Sequence, residues 1–371
     1  MVLLCITILL FIGYSVLITY YWLSWRSIPE FFPKEGAVAA DISVIIPARN
    51  EQKNIGALLQ ALEQQTLSRN LFEVIVIDDD STDDTSKIVR EFAGTILMEL
   101  KDRSLNSYKK KAIELGISKA SGKLIVTTDA DCIPPPQWLE TLLLFHQEYN
   151  SAFIAGPVSF QNNSFFLETF QALDFLVLQG ITAASVYRSL HSMCNGANLA
   201  YEKEAFFAVN GFANIDRIAS GDDMLLMHKI RKEFPGQVHY LKSKQAIVST
   251  QPMKNWKEFF NQRIRWASKA RFYDDVGIFW ALLLVYLFNL SQLVLLIAGF
   301  WNLKFVIWFL LVWIAKTIVE FPFVSSVAKF FGKQSMLKYF FFFQPVHMVY
   351  TVIAGFFGQF GSYEWKGRKV Q

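Results

Sequence analysis

Cysteine is scarce in this chain of 371 residues and occurs only as Cys5, Cys132 and Cys194. These three are unclustered and odd in number, which fits a reducing compartment and argues against a metal site built from cysteines. No glycine-rich loop of the G-x-G-x-x-G or Walker type follows a predicted strand, which disfavours dinucleotide-binding and P-loop proteins. The net charge is only +4, and there is no clustered basic and aromatic stripe. The sequence therefore predicts no nucleic-acid partner.

Charge is missing altogether from Val2 to Trp25. This run is long enough to cross a bilayer core, which needs about 20 apolar residues. A cleaved signal peptide is the alternative, because the small residues at 37–39 resemble a cleavage site. No basic residue precedes the run, however, and these small residues lie well beyond its end. The pattern therefore favours an uncleaved transmembrane anchor at 1–26.

Long apolar stretches also fill the C-terminal region, residues 278–363. They run from Ile278 to Phe300, from Phe305 to about Ala328, and from Tyr339 to Tyr363. The second contains Lys316 and Glu320, which form either a functional pair inside the membrane or an ordinary i,i+4 couple near an interface. The third is interrupted by proline, histidine and glycine, so spanning, re-entrant and surface-lying forms all stay open.

Basic residues near these segments predict the orientation. None precedes the first segment, whereas Arg26 and Lys34 follow it and Lys269 and Arg271 precede the second. The positive-inside rule then predicts a multi-pass protein of the cell membrane whose central domain is cytoplasmic. Four full crossings would put the basic tail at 364–371 outside, against this rule. A re-entrant third C-terminal segment would keep the tail inside and fits better.

Short strands alternating with amphipathic helices occupy residues 41–250, which predicts an α/β domain with a mainly parallel sheet. Apolar, β-branched runs predict strands at 42–46, 74–77 and 124–128. Polar or acidic residues follow each strand. Ligands of open α/β sheets bind outside the carboxyl ends of the strands, so these residues are candidates for a site. The acidic cluster at 78–84 also suits turn and N-cap chemistry, and both readings stay open.

Asp129-Ala130-Asp131 follows the last of these strands. Two aspartates one residue apart can both face a cleft if the backbone turns there, and carboxylate oxygens suit Mg²⁺ or Mn²⁺. Such a metal also holds phosphate oxygens and neutralises the charge that develops on a leaving diphosphate. The D-x-D pattern alone is common, however, and a solvated turn would explain it equally well.

Other segments join this pattern in a recognisable order. The five segments are Asp41–Glu51 (D-I-S-V-I-I-P-A-R-N-E), Val76–Thr85 (V-I-D-D-D-S-T-D-D-T), Thr128–Asp131 (T-D-A-D), Ser220–Asp223 (S-G-D-D) and Gln262–Trp266 (Q-R-I-R-W). Together they resemble the family 2 glycosyltransferases with the GT-A fold, over roughly residues 41–270. The resemblance implies a Rossmann-like domain that binds a nucleotide-diphosphate sugar, flanked by one N-terminal and two to three C-terminal membrane segments. Ceramide glucosyltransferases and bacterial lipid glycosyltransferases have a similar layout.

The same resemblance implies a nucleoside pocket at the ends of the first two strands. Pro47, Ala48 and Glu51 would line this pocket. Asp79 would accept a hydrogen bond from the base, which is usually uracil in this family. The implied donor is therefore a UDP-sugar.

The resemblance also assigns the residues around the diphosphate. Lys109 would be the lysine that follows the second helix, although two further lysines come directly after it and leave the register open. Asp129 would lie near the ribose and the metal, and Asp131 would bind the metal directly. Asn198, in the stretch 195–198, would line the sugar and acceptor side.

A catalytic base is needed for an inverting transfer, because one carboxylate must take the proton from the acceptor hydroxyl as its oxygen attacks the anomeric carbon. The family motif ends in two acids with the second as base, which selects Asp223. Gly221 precedes the pair here, so a register with Asp222 as base also stays open. An N-cap at the start of a helix would use the same residues.

The Q-x-x-R-W motif supplies Gln262, Arg265 and Trp266 on an amphipathic interfacial helix predicted at 254–275. In the family this motif contacts the diphosphate and the acceptor, and a guanidinium suits phosphate oxygens. A plain interfacial helix facing lipid headgroups is the alternative. The basic tail at 364–371 could add a phosphate contact if it is cytoplasmic.

The predicted function is transfer of one sugar from a UDP-sugar to a membrane lipid acceptor, with the bilayer as a further partner. Membrane segments on both sides of the domain and an interfacial helix suit an acceptor hydroxyl at the bilayer surface. A processive polysaccharide synthase would use the same motifs but usually needs more crossings for a channel. A non-catalytic nucleotide-sugar-binding protein would be expected to lack a base or a metal carboxylate, and both are present.

Overall fold

The computed structural model describes residues 1–34, 41–101, 108–161, 166–191, 193–216, 221–268, 276–360, 363–365 and 368–370. Its α-helices are α1 Val2–Ser27, α2 Ile55–Glu63, α3 Thr85–Arg90, α4 Tyr108–Lys119, α5 Trp138–Tyr149, α6 Phe166–Tyr187, α7 Lys203–Ala208, α8 Asp222–Glu233, α9 Trp256–Ser268, α10 Val276–Ala298, α11 Leu303–Phe330 and α12 Phe340–Phe360. Its strands are β1 Ile42–Ala48, β2 Phe72–Asp78, β3 Thr95–Glu99, β4 Leu124–Thr127, β5 Phe153–Ala155, β6 Val158–Phe160, β7 Leu199–Glu202, β8 Val238–Tyr240, β9 Val248–Thr250, β10 Tyr363–Trp365 and β11 Arg368–Val370. Short 3₁₀ helices lie at Arg69–Leu71, Lys244–Ala246 and Gln334–Tyr339.

The described chain divides into two compact units. The first consists of Met1–Ile28, Asn162–His191 and Pro252–Tyr363. The second consists of Pro29–Gln161, Ser192–Gln251 and Glu364–Gln371. The predicted domain at 41–250 therefore differs from the second unit, because the predicted domain includes α6, which belongs to the first unit.

A seven-stranded sheet forms the centre of the second unit, in the order β3-β2-β1-β4-β7-β5-β8. β3, β2, β1 and β4 run parallel to one another, and β7 is antiparallel to both β4 and β5. The predicted mainly parallel α/β sheet is thus confirmed. β6 and β9 form a separate parallel pair.

Apolar burial on the sheet faces explains why these runs become strands. Nearly every side chain of β1 and β2 is buried, as expected for strands covered on both faces. On α2, the apolar residues at helical spacing, Ile55, Leu58, Leu59 and Leu62, are all buried. Each such side chain contributes about 1.5–3 kcal/mol when it is fully removed from water.

Several chain segments meet at one edge of the sheet because of this topology. Ala48 is paired with Asp78, so the loops after β1 and β2 leave the sheet side by side. Thr127 at the end of β4 is paired with Leu199 at the start of the antiparallel β7. The segments after β4 and before β7 therefore emerge at the same edge, and they carry the D-x-D pattern and the 195–198 stretch.

The first unit is mainly helical. Within the part of the chain that the structure describes, five of its helices are long and apolar enough to cross a membrane, judged by length and composition: Val2–Ser27, Phe166–Tyr187, Gly277–Ala298, Leu303–Phe330 and Gln334–Gln359. The N-terminal anchor and the first two C-terminal segments coincide with three of these helices. α12 is an unbroken helix despite Pro345, so the interruption inferred from its sequence does not break it. Whether α12 spans or re-enters stays a prediction.

The α6 helix was not predicted as a membrane-type helix. Its most apolar window has a mean hydropathy of only 1.2, and 83% of that window is buried within the protein. Polar side chains such as Gln171, Asp174 and Gln179 lower its hydropathy, yet all three are buried. Gln171 is hydrogen-bonded to the backbone of Met253, and Asp174 is paired with Arg263 on α9. These partners are far away in the sequence, which is why the helix could not be placed from its own residues.

Lys316 and Glu320 are both buried in the first unit, with Nζ and Oε1 separated by 3.5 Å. Lys316 also donates to Gln344 on α12, at 2.6 Å. Glu320 accepts hydrogen bonds from Tyr14 on α1 and from Gln344. These contacts favour the interpretation as an internal pair over that of a couple exposed near an interface. The pair joins α1, α11 and α12.

Candidate active site

The loops after β1 and β2 are hydrogen-bonded to each other. The Asn50 side chain accepts from the backbone N–H of Thr82 at 2.9 Å, and the Asn50 N–H donates to the Ser81 hydroxyl at 2.9 Å. Asn50 and Asp80 both have φ of 51°, a left-handed conformation that asparagine and aspartate tolerate better than most residues. These two hydrogen bonds hold together the loops that follow the carboxyl ends of the two strands.

The acidic cluster at 78–84 separates into two kinds of aspartate. Asp78 accepts from the Ser81 N–H at 3.1 Å and from the Ser86 hydroxyl, and Asp83 accepts from the Thr85 N–H at 3.0 Å. Burial alone would raise the pKa of Asp83, but the hydrogen bonds from Thr85 lower it below its usual value. These two residues therefore carry out turn and cap chemistry.

Asp79 is the acid of this cluster that the resemblance places in the nucleoside pocket. Its backbone N–H donates to Ala48 O at 2.8 Å, and its carboxylate lies 3.8 Å from the Arg49 guanidinium. Arg49 also donates to the carbonyls of Asp79 and Asp80. Arg49 was not predicted as a site residue. Its place in the P-A-R-N-E segment, directly after β1, was the signal that could have indicated a cation beside Asp79 at the end of β2.

The predicted pocket residues of the first strand lie beside this acid. Ala48 and Glu51 are buried, and Pro47 is half-buried. The Glu51 carboxylate accepts from the Asn54 side chain at 2.7 Å, and its backbone N–H donates to the Thr85 hydroxyl at 2.8 Å. The structure thus brings together all four residues assigned to the nucleoside pocket. Their contact with a nucleoside stays a prediction.

Lys109 connects two acidic motifs that are far apart in the sequence. Its ammonium lies 2.7 Å from Asp129 Oδ1 and 3.1 Å from Asp222 Oδ2. Burial alone would lower the pKa of Lys109, but the two carboxylates outweigh it and raise the pKa well above its usual value. The lysine is therefore a fixed positive charge between the D-x-D segment and the start of α8.

The three consecutive lysines have three different environments. Lys110 is buried and donates to the Ile215 carbonyl at 2.6 Å. Lys111 is exposed and lies 3.4 Å from Glu114, one turn further along α4. Of the three, Lys109 has the contacts with the acidic motifs.

The D-x-D segment has the donor atoms of a divalent-metal site. The possible ligand atoms of Asp129, Asp131 and Cys132 all lie within 4.8 Å of one another. The two half-buried carboxylates fit a hard cation such as Mg²⁺ or Mn²⁺. The Cys132 thiol is buried, and burial together with the neighbouring Asp131 and Asp129 raises its pKa well above its usual value. Hard cations prefer oxygen donors to sulfur, so the two carboxylates define this candidate site.

Asp222 and Asp223 begin α8 but have different contacts. Asp222 is buried beside Lys109, whereas Asp223 is half-buried. Asp223 accepts from the Gly196 N–H at 3.2 Å and from the Met224 N–H at 2.8 Å. Gly221, which precedes them, has a φ of +82° that favours glycine and turns the chain into the helix. The next residue back, Ser220, lies outside the described residues.

The stretch before β7 packs tightly against these charges. A side chain at Gly196 would begin 3.0 Å from the Lys109 ammonium, so the backbone must approach closely there. Asn198 is fully buried: its amide donates to Pro157 O at 2.9 Å and Ala246 O at 2.8 Å, and its oxygen accepts from Trp138 at 2.9 Å. These internal bonds give Asn198 a structural role, and its place on the sugar and acceptor side stays a prediction.

Gln262, Arg265 and Trp266 lie on α9 in the first unit, and all three are half-buried. The helix begins at Trp256 and ends at Ser268; the last seven residues of the helix predicted at 254–275 lie outside the described residues. So do Lys269 and Arg271, on which the orientation partly rests, and Lys366 and Gly367 of the tail. Contact of α9 or the tail with a diphosphate stays a prediction.

The acids after β2 and β4 lie at the carboxyl ends of strands in a mainly parallel sheet, where open α/β domains bind their ligands. Residues 43–207 match the family described as Glycosyl transferase family 2. Residues 43–207 therefore form a glycosyltransferase family 2 domain, as the sequence motifs predicted.

Curated relatives are similar over part of the chain. The glycosyltransferase AglE of Haloferax volcanii is 37% identical over 102 residues, which are 27% of this chain and 33% of that protein. A 4,4'-diaponeurosporenoate glycosyltransferase of Staphylococcus haemolyticus is 38% identical over 122 residues, 32% of each chain. This chain thus spans about a third of the length of each of these relatives.

A solved structure is similar over nearly the whole chain. It is a mannosyltransferase from Pyrobaculum calidifontis in complex with GDP-Man and Mn²⁺, with a TM-score of 0.63 and 18% sequence identity. The likeness covers 95% of this chain and 99% of that chain. It confirms the predicted GT-A fold.

Proposed function

We propose that this protein is a membrane-bound inverting glycosyltransferase that transfers one sugar from a UDP-sugar to a hydroxyl of a membrane lipid. The observation that carries the proposal is the position of Lys109 between Asp129 and Asp222. It links the D-x-D segment, suited to a diphosphate and its metal, with the pair of acids that supplies a base. Donor activation and proton removal must occur within a few ångströms of each other in such a transfer.

The nucleoside of the donor would bind at the loops that follow β1 and β2. Asp79 would accept from the base, and Arg49 would hold this carboxylate in place. Glu51, Pro47 and Ala48 would pack around the nucleoside. The structural neighbour holds a GDP-sugar, so a donor panel must compare uridine with guanosine nucleotides.

Asp131 and Asp129 would hold a divalent cation, Mg²⁺ or Mn²⁺. When bound, this metal supplies positive charge for the leaving diphosphate. The chain's own contribution is to keep Asp129 oriented by its ion pair with Lys109. This ammonium would also balance the negative charge of four neighbouring aspartates, which would otherwise repel an anionic donor.

Asp223 would serve as the general base. It would take the proton from the acceptor hydroxyl while the hydroxyl oxygen attacks the anomeric carbon. The bond from that carbon to the diphosphate oxygen would break, with its electron pair leaving on the diphosphate, so that the configuration inverts. The contacts favour Asp223 over Asp222, because the Asp222 carboxylate is already engaged by the Lys109 ammonium at 3.1 Å.

The lipid acceptor is supported by the first unit. Of the five helices of membrane length among the described residues, one precedes residues 43–207, one lies within them and three follow them. α9 carries the Q-x-x-R-W residues directly before the first of these three. A water-soluble acceptor would not require this organisation. The multi-pass arrangement and the cytoplasmic side of the domain belong to this proposal.

The test is transfer from labelled nucleotide sugars in membranes that contain the protein. With Mn²⁺ or Mg²⁺ and a UDP-sugar, label should enter an organic-solvent extract, and a chelator should abolish this until metal is restored. Asp131→Asn should behave like chelation, and the exposed Asp84→Asn serves as the matched control. Insoluble labelled polymer would instead indicate a processive synthase. Donor binding without transfer to any extractable or insoluble product would indicate a non-catalytic protein.

A further inference from the structure

Arg263 occupies the first variable position of the Q-x-x-R-W motif. Among residues 262–266 it is the one that is buried. Its side chain is only 3% exposed, and its Nη2 lies 2.7 Å from Asp174 Oδ2 on α6. Both partners are charged groups buried within the first unit. An ion pair removed from water in this way needs well-placed partners on every side.

The guanidinium also contacts two of the motif side chains. Its Nη1 donates to Gln262 Oε1 at 3.2 Å, and its central carbon lies 4.3 Å from the ring centroid of Trp266. A cation over an indole ring at this distance is an attractive contact. Arg263 thus holds Gln262 through a hydrogen bond and Trp266 through its ring face.

Asp174 extends the contact to a third helix. Its second oxygen accepts from the Tyr350 hydroxyl on α12, and the ring of Tyr350 packs against Phe259 on the buried face of α9 at 5.3 Å. α6, α9 and α12 are therefore joined at one carboxylate. Rotation of α9 about its axis would break the ion pair with Asp174.

We propose that Asp174 and Arg263 are positioning residues that set the rotation of α9, and hence the presentation of Gln262 and Trp266, in the proposed transfer reaction. This inference rests on the proposed function for its catalytic consequence. The positioning itself can be measured independently of transfer.

The test is a double-mutant cycle in the full-length protein, with Asp174→Asn, Arg263→Gln and the double variant. Each single change leaves a buried charge unpaired and should lower kcat/KM by about 10- to 100-fold. The double variant replaces the pair with two neutral amides and should be no worse than the poorer single variant. Lys257→Gln, on the exposed face of the same helix, is the matched control.

A second readout reports on α9 directly. Hydrogen exchange of the peptide at 256–268 should increase in both single variants and return toward wild type in the double variant, with peptides of the second unit unchanged. If the losses in kcat/KM multiply in the double variant, or exchange at 256–268 stays as in wild type, the positioning role is wrong. If the wild-type protein transfers no sugar but exchange changes as described, the proposed function fails and the positioning of α9 stands.

Discussion

Lys109 and Asp222 form an ion pair, with 3.1 Å between Nζ and Oδ2, at the rim of the central sheet. The same ammonium lies 2.7 Å from Asp129. Two acidic motifs from distant parts of the chain therefore share one positive charge. The proposed reaction depends on this arrangement, because it brings the metal-binding segment close to the acids from which the base is drawn.

Replacement of Lys109 tests this arrangement first. Lys109→Met removes two charge-assisted contacts, each worth about 1.5–3 kcal/mol, so kcat/KM should fall by at least about tenfold. Lys111→Met should leave activity near wild type, because Lys111 is exposed and its ion pair is with Glu114, one turn further along α4. Equal kinetics of the two variants would contradict the role given to Lys109.

The assignment of the base predicts different effects for the two neighbouring aspartates. Asp223→Asn should lower kcat by about 10²- to 10⁴-fold while the KM for the donor changes little, because general-base catalysis contributes on that scale. Asp222→Asn should be milder in kcat, since it weakens the anchoring of Lys109 without removing the base. Steady-state kinetics with saturating lipid measure both values. The reverse order of effects would identify Asp222 as the base.

Asn198 should matter more for stability than for chemistry. Asn198→Leu leaves two carbonyls and the Trp138 N–H without their buried partner, at a cost of about 1–3 kcal/mol for each group. The midpoint of thermal unfolding in detergent should drop clearly, whereas Asn70→Ser on the surface should not lower it. An unchanged midpoint for Asn198→Leu, together with a raised donor KM, would support the prediction that this residue lines the sugar.

Lys316 and Glu320, the buried pair of the first unit, should depend on each other for the stability of the folded protein. Lys316→Met leaves Glu320 charged and without its cation, which typically costs about 3–5 kcal/mol for a buried pair. The double variant Lys316→Met with Glu320→Gln keeps the hydrogen-bonding groups for Tyr14 and Gln344 and should recover much of the folded yield. Size-exclusion profiles in detergent measure that yield. A double variant as unstable as the single one would show that the pair is not what links these helices.

Much of the fold was predictable because its signals are local. Buried β-branched runs indicated β1, β2 and β4, and the acids directly after them indicated the site, since carboxyl ends of parallel strands share an edge. α6 was missed because its buried polar residues reduce its hydropathy, and their partners, such as Arg263 for Asp174, lie far away in the sequence.

The details of the site depended on three-dimensional contacts. Three consecutive lysines look equivalent in sequence, and only the direction in which each leaves α4 separates Lys109 from its neighbours. Asn198 was assigned to the sugar and acceptor side by the resemblance of the 195–198 stretch to the family, and the sequence did not show that its side-chain amide is hydrogen-bonded to Pro157, Ala246 and Trp138. Residue type and spacing do not report burial of this kind.

The mass of the product decides whether this protein transfers a single sugar to a lipid. Purified protein in lipid vesicles, supplied with Mn²⁺ and a panel of UDP- and GDP-sugars, should convert one lipid into a species heavier by a single sugar, with a UDP-sugar as donor. The Asp223→Asn protein should form none of it. The vesicles must contain folded wild-type protein and the lipids of the native membrane. If no lipid then gains the mass of a sugar with any donor, the protein is not a lipid glycosyltransferase.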